Sequence, residues 1–126
     1  MDRGRIDELV ELFTEDGTLE AGDAPARGRE AIRAFLLQTK AQLASATERP
    51  LVRHHVSNLL IDVVSAGSAR AASYFLVLTA ERLDHWGRYR DLLVEVGGRW
   101  LFQHRRVRTD GYTSDSWVRR NRREPY

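Results

Sequence analysis

The chain has 126 residues, a length that favours a single domain. Hydrophobic residues make up 42% and charged residues 30%, which excludes that the chain as a whole is disordered, collagenous or of low complexity. Because the sequence contains no cysteine, it forms no disulfide and offers no thiolate nucleophile or cysteine-ligated metal. The composition therefore predicts a soluble globular domain.

Neither a membrane span nor an export signal is predicted. The least charged run, residues 59–83, contains Asp62, Arg70 and Glu81 and falls short of the roughly 18 apolar residues that a spanning helix needs. Residues 1–5 lack the apolar stretch of a signal peptide, so the cytoplasm is the expected compartment.

The net charge of +2 is unevenly placed along the chain. A basic tail, residues 118–126, carries four arginines and one glutamate. We expect this tail to be solvated rather than bound to nucleic acid, because the rest of the sequence shows no basic stripe.

Two helices are predicted in the first part of the chain. Apolar side chains recur three or four residues apart over residues 5–13, which indicates one face of a short amphipathic helix. The same spacing predicts a second helix from Arg29 to about residue 44 or 46, ending before Pro50. Residues 18–20 are expected to form a brief strand and residues 23–28 a loop.

Four consecutive strands are predicted after the second helix, because β-branched and aromatic residues then dominate. The breaks between them are short enough for antiparallel neighbours, and Gly97-Gly98 is the clearest hairpin, since glycine adopts positive φ at little cost. Two helices followed by such a meander predict an α+β domain in which a curved antiparallel sheet wraps around the helices. The predicted strands are residues 51–64, 69–82, 89–96 and 99–108, with one break at residues 84–87.

Five short segments carry a family resemblance. They read LFTEDG (12–17), GREAI (28–32), RHHVSN (53–58), GRYRD (87–91) and GRWLF (98–102). In this order they resemble the SnoaL-like branch of the nuclear transport factor 2-like superfamily, over nearly the whole chain. The resemblance implies a cone-shaped α+β fold around one deep apolar pocket, with a single domain over residues 1–117. Similar proteins include scytalone dehydratase, bile acid dehydratases, steroid isomerases and small polyketide cyclases, while some members have no known activity.

The resemblance also implies a helical turn ahead of Asp2 that supplies a pocket tyrosine. The sequence starts at Met1 without that turn. We therefore expect a shortened first helix, an internal start or a site without that acid.

Adjacent histidines near the start of a predicted strand are the first candidates for catalysis. Side chains of neighbouring strand residues point to opposite faces, so only one of His54 and His55 can enter the pocket. The family pattern favours His54. An imidazole titrates near neutral pH and can remove a proton beside a carbonyl or help a hydroxyl leave, without a cofactor. A purely structural hydrogen bond inside the strand is the alternative.

Two carboxylates are implied by the same resemblance. Asp91 occupies a position where relatives often orient the histidine, which fixes its tautomer and raises its basicity. Pairing of Asp91 with Arg105 is the alternative. Asp2 matches a carboxylate of the family's first helix, although fraying is the competing expectation so close to the start of the chain.

Further residues are candidates for binding substrate. Tyr74 and Tyr89 can donate hydrogen bonds to a substrate oxygen, and Trp86 can line an apolar wall, although aromatic residues at strand spacing also build cores. Asn58 lies four residues after His54 and shares its face if the strand is regular. Arg105 can bind an anionic group.

The sequence predicts neither a metal site nor a cofactor site. The histidines lack a ligand pattern, and no glycine-rich loop opens a helix. The leading hypothesis is a cofactor-independent lyase or isomerase for a small apolar, oxygenated ring compound, with His54 as general acid/base. The alternative is a non-catalytic ligand-binding or assembly domain. A homodimer is expected, because relatives commonly pair through the outer face of the sheet and strands such as residues 59–61 are apolar on both faces.

Overall fold

The computed structural model describes residues 2–120, with side chains through residue 119. In this part of the chain, three helices and six strands occur, which confirms the α+β prediction. Residues 121–126 of the predicted basic tail lie outside the described residues. The elements are α1 (Ile6–Val10), β1 (Phe13–Glu20), β2 (Ala26–Arg27), α2 (Arg29–Ala46), β3 (Val52–Ser65), β4 (Ser68–Thr79), β5 (Leu83–Val96), β6 (Arg99–Tyr112) and α3 (Trp117–Arg120).

The start of α2 is tied to β1. Gly28 precedes the helix with φ 82°, a conformation that favours glycine. The guanidinium of Arg29 then donates two hydrogen bonds, of 2.7 and 3.0 Å, to the carbonyl oxygen of Phe13. Ile32 and Leu36 follow at the spacing of one helix face and are buried. The amphipathic pattern and this anchor together place α2 against the sheet.

The six strands form one curved, open sheet in the order β2-β1-β6-β5-β4-β3. Neighbouring strands are antiparallel, except that β1 and β6 are parallel. The β5–β6 hairpin turns at Gly97-Gly98 as predicted, and both glycines have positive φ. The long strand β3 forms one edge of the sheet.

The two faces of the sheet differ in burial. We call the face that packs against the helices the inner face and the opposite one the outer face. On β4, alternate side chains such as Phe75 and Val77 are buried on the inner face, whereas Tyr74 and Leu76 are exposed on the outer face. The inner face therefore holds the core and any enclosed site.

Some predicted bounds are wrong. The first helix spans only Ile6–Val10, because β1 already begins at Phe13 and extends the predicted strand of residues 18–20. Strand β5 begins at Leu83 rather than at residue 89, so the predicted break at residues 84–87 is strand. The chain turns instead at residues 80–82, where the Thr79 amide and hydroxyl both donate to the carbonyl of Arg82.

Candidate functional site

His54 and Asp2 form the most compact polar pair on the inner face. The Nδ1 of His54 lies 2.6 Å from Oδ1 of Asp2, and the main-chain amide of His54 donates to Oδ2 at 2.8 Å. Asp2 is therefore fixed rather than frayed. The two side chains keep 23% and 25% of their surface exposed. His55, the next residue, is exposed and pairs in register with Leu76 of the outer face.

The environment keeps Asp2 ionised. Partial burial raises the pKa of its carboxyl, but the hydrogen bonds from the amide and ring of His54 outweigh burial and hold the pKa below its ordinary value. An ionised carboxylate on Nδ1 holds the proton there and leaves Nε2 as the basic nitrogen. The arrangement is chemically suited to general acid/base work.

Aromatic rings form the floor beside this pair. The ring of Phe75 lies 6.5 Å from that of His54 and stacks on Tyr89 at 4.6 Å, measured between centroids. Tyr89 is only 8% exposed, and its hydroxyl makes no hydrogen bond within the described residues. Burial raises the pKa of Tyr89; Arg105 acts against this, while Asp91 and Asp2 add to it. Tyr89 is thus a protonated donor under the influence of three charged groups, Arg105, Asp91 and Asp2.

Asp91 does not orient His54, which corrects the role predicted from the resemblance. Both of its carboxylate oxygens accept hydrogen bonds of 2.8 Å from Nε and Nη2 of Arg105. The guanidinium of Arg105 is also stacked, 4.1 Å from the ring centre of Tyr89 and 4.2 Å from that of Phe102. This bidentate, stacked geometry fixes Arg105. Its Nη1 makes no hydrogen bond within the described residues.

A second histidine–aspartate pair was missed by sequence reasoning. The Nδ1 of His85 lies 2.8 Å from Oδ2 of Asp84, and the hydroxyl of Ser116 donates to the same oxygen at 2.6 Å. Both members of the pair are buried, and the His85 ring lies 6.0 Å from that of Phe75. Phe75 therefore contacts both imidazoles.

The missed pair depends on a β-bulge. Leu83 and His85 pair with consecutive residues of β4, so Asp84 is the extra residue and turns inward together with His85. A usable signal was present, because His85 lies four residues before Tyr89 and shares its face once the strand is extended back to Leu83.

Three predicted substrate contacts lie outside this site. Tyr74 and Trp86 belong to the outer face, where 52% and 39% of their surfaces are exposed. Asn58 is exposed with φ 54°, and Asn58 and Leu59 together oppose a single residue of β4. This bulge breaks the alternation on which the prediction for Asn58 relied.

Within residues 2–120, no cluster of three or more histidine, aspartate or glutamate side chains is arranged to hold a metal ion. No helix in the same part of the chain is long and apolar enough to cross a membrane.

Comparison with protein families identifies one match: residues 1–106 fit the model described as a SnoaL-like domain. No curated protein matches the chain.

Several solved structures are similar to this fold. A scytalone dehydratase-like protein from Novosphingobium aromaticivorans DSM 12444 is 30% identical, with a TM-score of 0.72 over 89% of this chain and 75% of that one. ActVI-ORFA from Streptomyces coelicolor is 25% identical, with a TM-score of 0.77 over 89% and 85%. A protein from Catenulispora acidiphila, solved in complex with S-DNPA, is 31% identical, with a TM-score of 0.72 over 86% and 81%.

Proposed function

The chain belongs to the SnoaL-like family, and on that premise we propose that it is a cofactor-independent lyase or isomerase, acting on a small apolar ring compound that carries a carbonyl or hydroxyl oxygen. The observation that carries the proposal is the His54–Asp2 pair, with its 2.6 Å contact and its partial exposure beside an aromatic floor. A similar solved protein described as scytalone dehydratase-like supports a dehydratase-type reaction.

The proposed reaction begins with proton abstraction. Nε2 of His54 takes a proton from the carbon next to a substrate carbonyl, and Asp2 stabilises the imidazolium that results. The electron pair of the broken C–H bond moves onto the carbonyl oxygen, where the hydroxyl of Tyr89 donates a hydrogen bond to the developing negative charge.

The second half of the reaction returns the proton. In a dehydration, the enolate expels the β-hydroxyl group, which takes the proton from His54 and leaves as water. In an isomerisation, the same proton returns to a different carbon. Both routes balance without a metal or an organic cofactor. Arg105, fixed by Asp91, is proposed to bind a second oxygen of the substrate through its free Nη1.

Deuterium exchange tests the proposal for any substrate, because it reports the proton abstraction that precedes loss of a leaving group. A panel of cyclic ketones and β-hydroxyketones is incubated with the protein in D2O, and loss of the proton next to the carbonyl is followed by NMR. We expect exchange or water loss with at least one compound, abolished in His54→Ala and retained in His55→Ala, the matched outer-face control. Equal exchange in the two variants would contradict the role of His54.

A ligand-binding domain without catalysis is the second candidate, and the S-DNPA complex of a similar protein favours small-molecule binding. If panel compounds bind and protect the protein against unfolding but neither exchange nor react, this second candidate replaces the first.

We also propose that the protein is a homodimer. At the end of β3, five large apolar side chains have 53–68% of their surface exposed. Strand β3 also lies at the edge of the sheet, where its unpaired main-chain groups can form hydrogen bonds with a second chain. Sedimentation at micromolar concentration should give a dimer that Leu59→Glu dissociates, whereas Leu37→Glu, a control on α2 with 40% exposure, should leave it intact. The five residues are Leu59, Leu60, Ile61, Val63 and Val64.

A cytoplasmic location stays a prediction, which cell fractionation would test.

A further inference from the structure

The outer face of the sheet carries a block of four arginines. On the neighbouring strands β5 and β6, Arg88 stands directly opposite Arg108, and Arg90 directly opposite Arg106. The two pairs are adjacent, because residues two apart on a strand share a face. Like charges that are directly opposite each other in a sheet destabilise it.

Carboxylates inside the protein neutralise only part of this block. Arg88 pairs with Asp110 at 3.1 Å and Arg106 with Glu20 at 3.2 Å. Arg90 donates only to a main-chain carbonyl. In the described part of the chain, Arg108 makes no ion pair, and the buried Nε of Arg88 has no hydrogen-bond partner. The block therefore retains unused donors and uncompensated positive charge.

A groove of about 380 Å³ opens next to this block. Arg90 and Arg106 form one side and Arg70 of β4 another, while the small Ala72 leaves room in the floor. Arg70 is exposed and makes no ion pair within the described residues, and His104 adds a fourth nitrogen-bearing side chain. The volume lies in the range of small-molecule sites, roughly 300–1,000 Å³.

The charges of the groove indicate the class of ligand. Asp91 also lines the groove but is paired with Arg105. The four arginines of the block and Arg70 exceed the nearby carboxylates Asp62, Asp110 and Glu20 by two charges, so a bound dianion would balance the charge. Guanidinium forks match phosphate oxygens in pairs. Asp62 would also repel a long polyanion that ran through the groove, which favours a small ligand.

We propose that this outer-face groove binds a small molecule with a phosphate or diphosphate group, at a site separate from the His54–Asp2 pair. Leu60, one of the five apolar residues of the proposed dimer edge, lines the groove, so the ligand would sit beside the dimer interface. Arg70, Arg90 and Arg106 hold the phosphate oxygens, and the ligand relieves the repulsion between the opposed arginines. The site was hidden from sequence reasoning because its arginines come from three separate strands and form no basic run.

Calorimetric titration with inorganic diphosphate, at constant ionic strength set with sodium chloride, tests the proposal. We expect saturable binding that weakens at least tenfold in the double variant Arg90→Gln/Arg106→Gln. Arg99→Gln, which removes a charge at the exposed β5–β6 hairpin, should bind as wild type does. The double variant should also unfold in chloride at a temperature no lower than wild type, since it loses a like-charge pair.

Three results would overturn the proposal. One is no diphosphate binding by the wild type, and another is equal weakening in the double variant and in Arg99→Gln. The third is binding to phosphatidylglycerol vesicles or to a single-stranded oligonucleotide, lost in the double variant, without binding of free diphosphate. That result would assign the arginines to a membrane surface or a nucleic acid.

Discussion

The two carboxylate oxygens of Asp2 bind two different groups of one residue, the ring and the main-chain amide of His54, at 2.6 and 2.8 Å. The amide contact fixes the position of the carboxylate, and the ring contact transmits that position to the imidazole. A carboxylate held in this way sets both the tautomer and the direction of Nε2.

This geometry predicts an order of effects on activity. With a responsive substrate, His54→Ala should lower kcat by roughly 10²–10⁴, the usual contribution of a positioned general base. Asp2→Asn should lower it less, by about 10–100, since the imidazole remains but loses its anionic partner. Steady-state kinetics on folded variants measures both. A larger loss in Asp2→Asn than in His54→Ala would contradict the assigned roles.

The stability of the fold should depend on Asp2 at low pH. Because the pKa of Asp2 is lower in the folded than in the unfolded chain, its contribution to stability is present above the unfolded value, about 3.9, and is lost as the pH falls through the folded value. Urea unfolding from pH 7 to pH 2.5 should show wild type more stable than Asp2→Asn by about 1 kcal/mol at neutral pH, with the gap closing below pH ~4. Asp23→Asn, at an exposed site, should show no such convergence, and parallel curves for wild type and Asp2→Asn would contradict the linkage.

The sequence predicted α2 and the hairpin at residues 97–98 because both depend on local features, namely helical spacing and glycine conformation. It failed where β-bulges insert a residue. The bulge at Asn58 breaks the alternation of inward and outward side chains on β3. The bulge at Asp84 turns both Asp84 and His85 inward, in a segment predicted to be a break between two strands. The Asp2–His54 contact joins residues 52 positions apart, so no local pattern could define its geometry.

Tyr89 should titrate above the ordinary range of a tyrosine side chain. Burial raises its pKa above the ordinary value of about 10, so Tyr89 of the folded protein should stay neutral at a pH at which a solvated tyrosine ionises. Ionisation of Tyr89 therefore has no effect on stability below pH ~10. The free energy of unfolding falls as the pH rises from there toward the raised pKa of Tyr89 in the folded protein. Ultraviolet titration of tyrosinate should show a late step that is absent in Tyr89→Phe and present in Tyr74→Phe. A late step that survives in Tyr89→Phe would contradict the assignment.

Removing Arg105 alone should destabilise the fold more than removing both Asp91 and Arg105. Asp91 keeps 4% of its side-chain surface and Arg105 keeps 24%, so Arg105→Ala leaves a buried carboxylate without its partner. We expect a loss of about 3 kcal/mol in the free energy of unfolding, measured by urea denaturation. The double variant Asp91→Ala/Arg105→Ala should recover part of it, because the unpaired charge is gone. Purely additive losses would contradict this coupling.

Gly87 should be intolerant of a side chain. A Cβ at this position would overlap the carbonyl oxygen of Arg108 on the neighbouring strand and would lie 2.9 Å from Cζ of Phe75. Gly87→Ala must therefore shift either β6 or the ring that contacts both His54 and His85, and we expect a loss of about 2 kcal/mol in stability, with lower activity. Gly67→Ala, in the β3–β4 turn, meets no atom within 4 Å and should change stability by less than about 0.5 kcal/mol. Equal unfolding midpoints for the two alanine variants would show that the sheet can widen at Gly87 without cost.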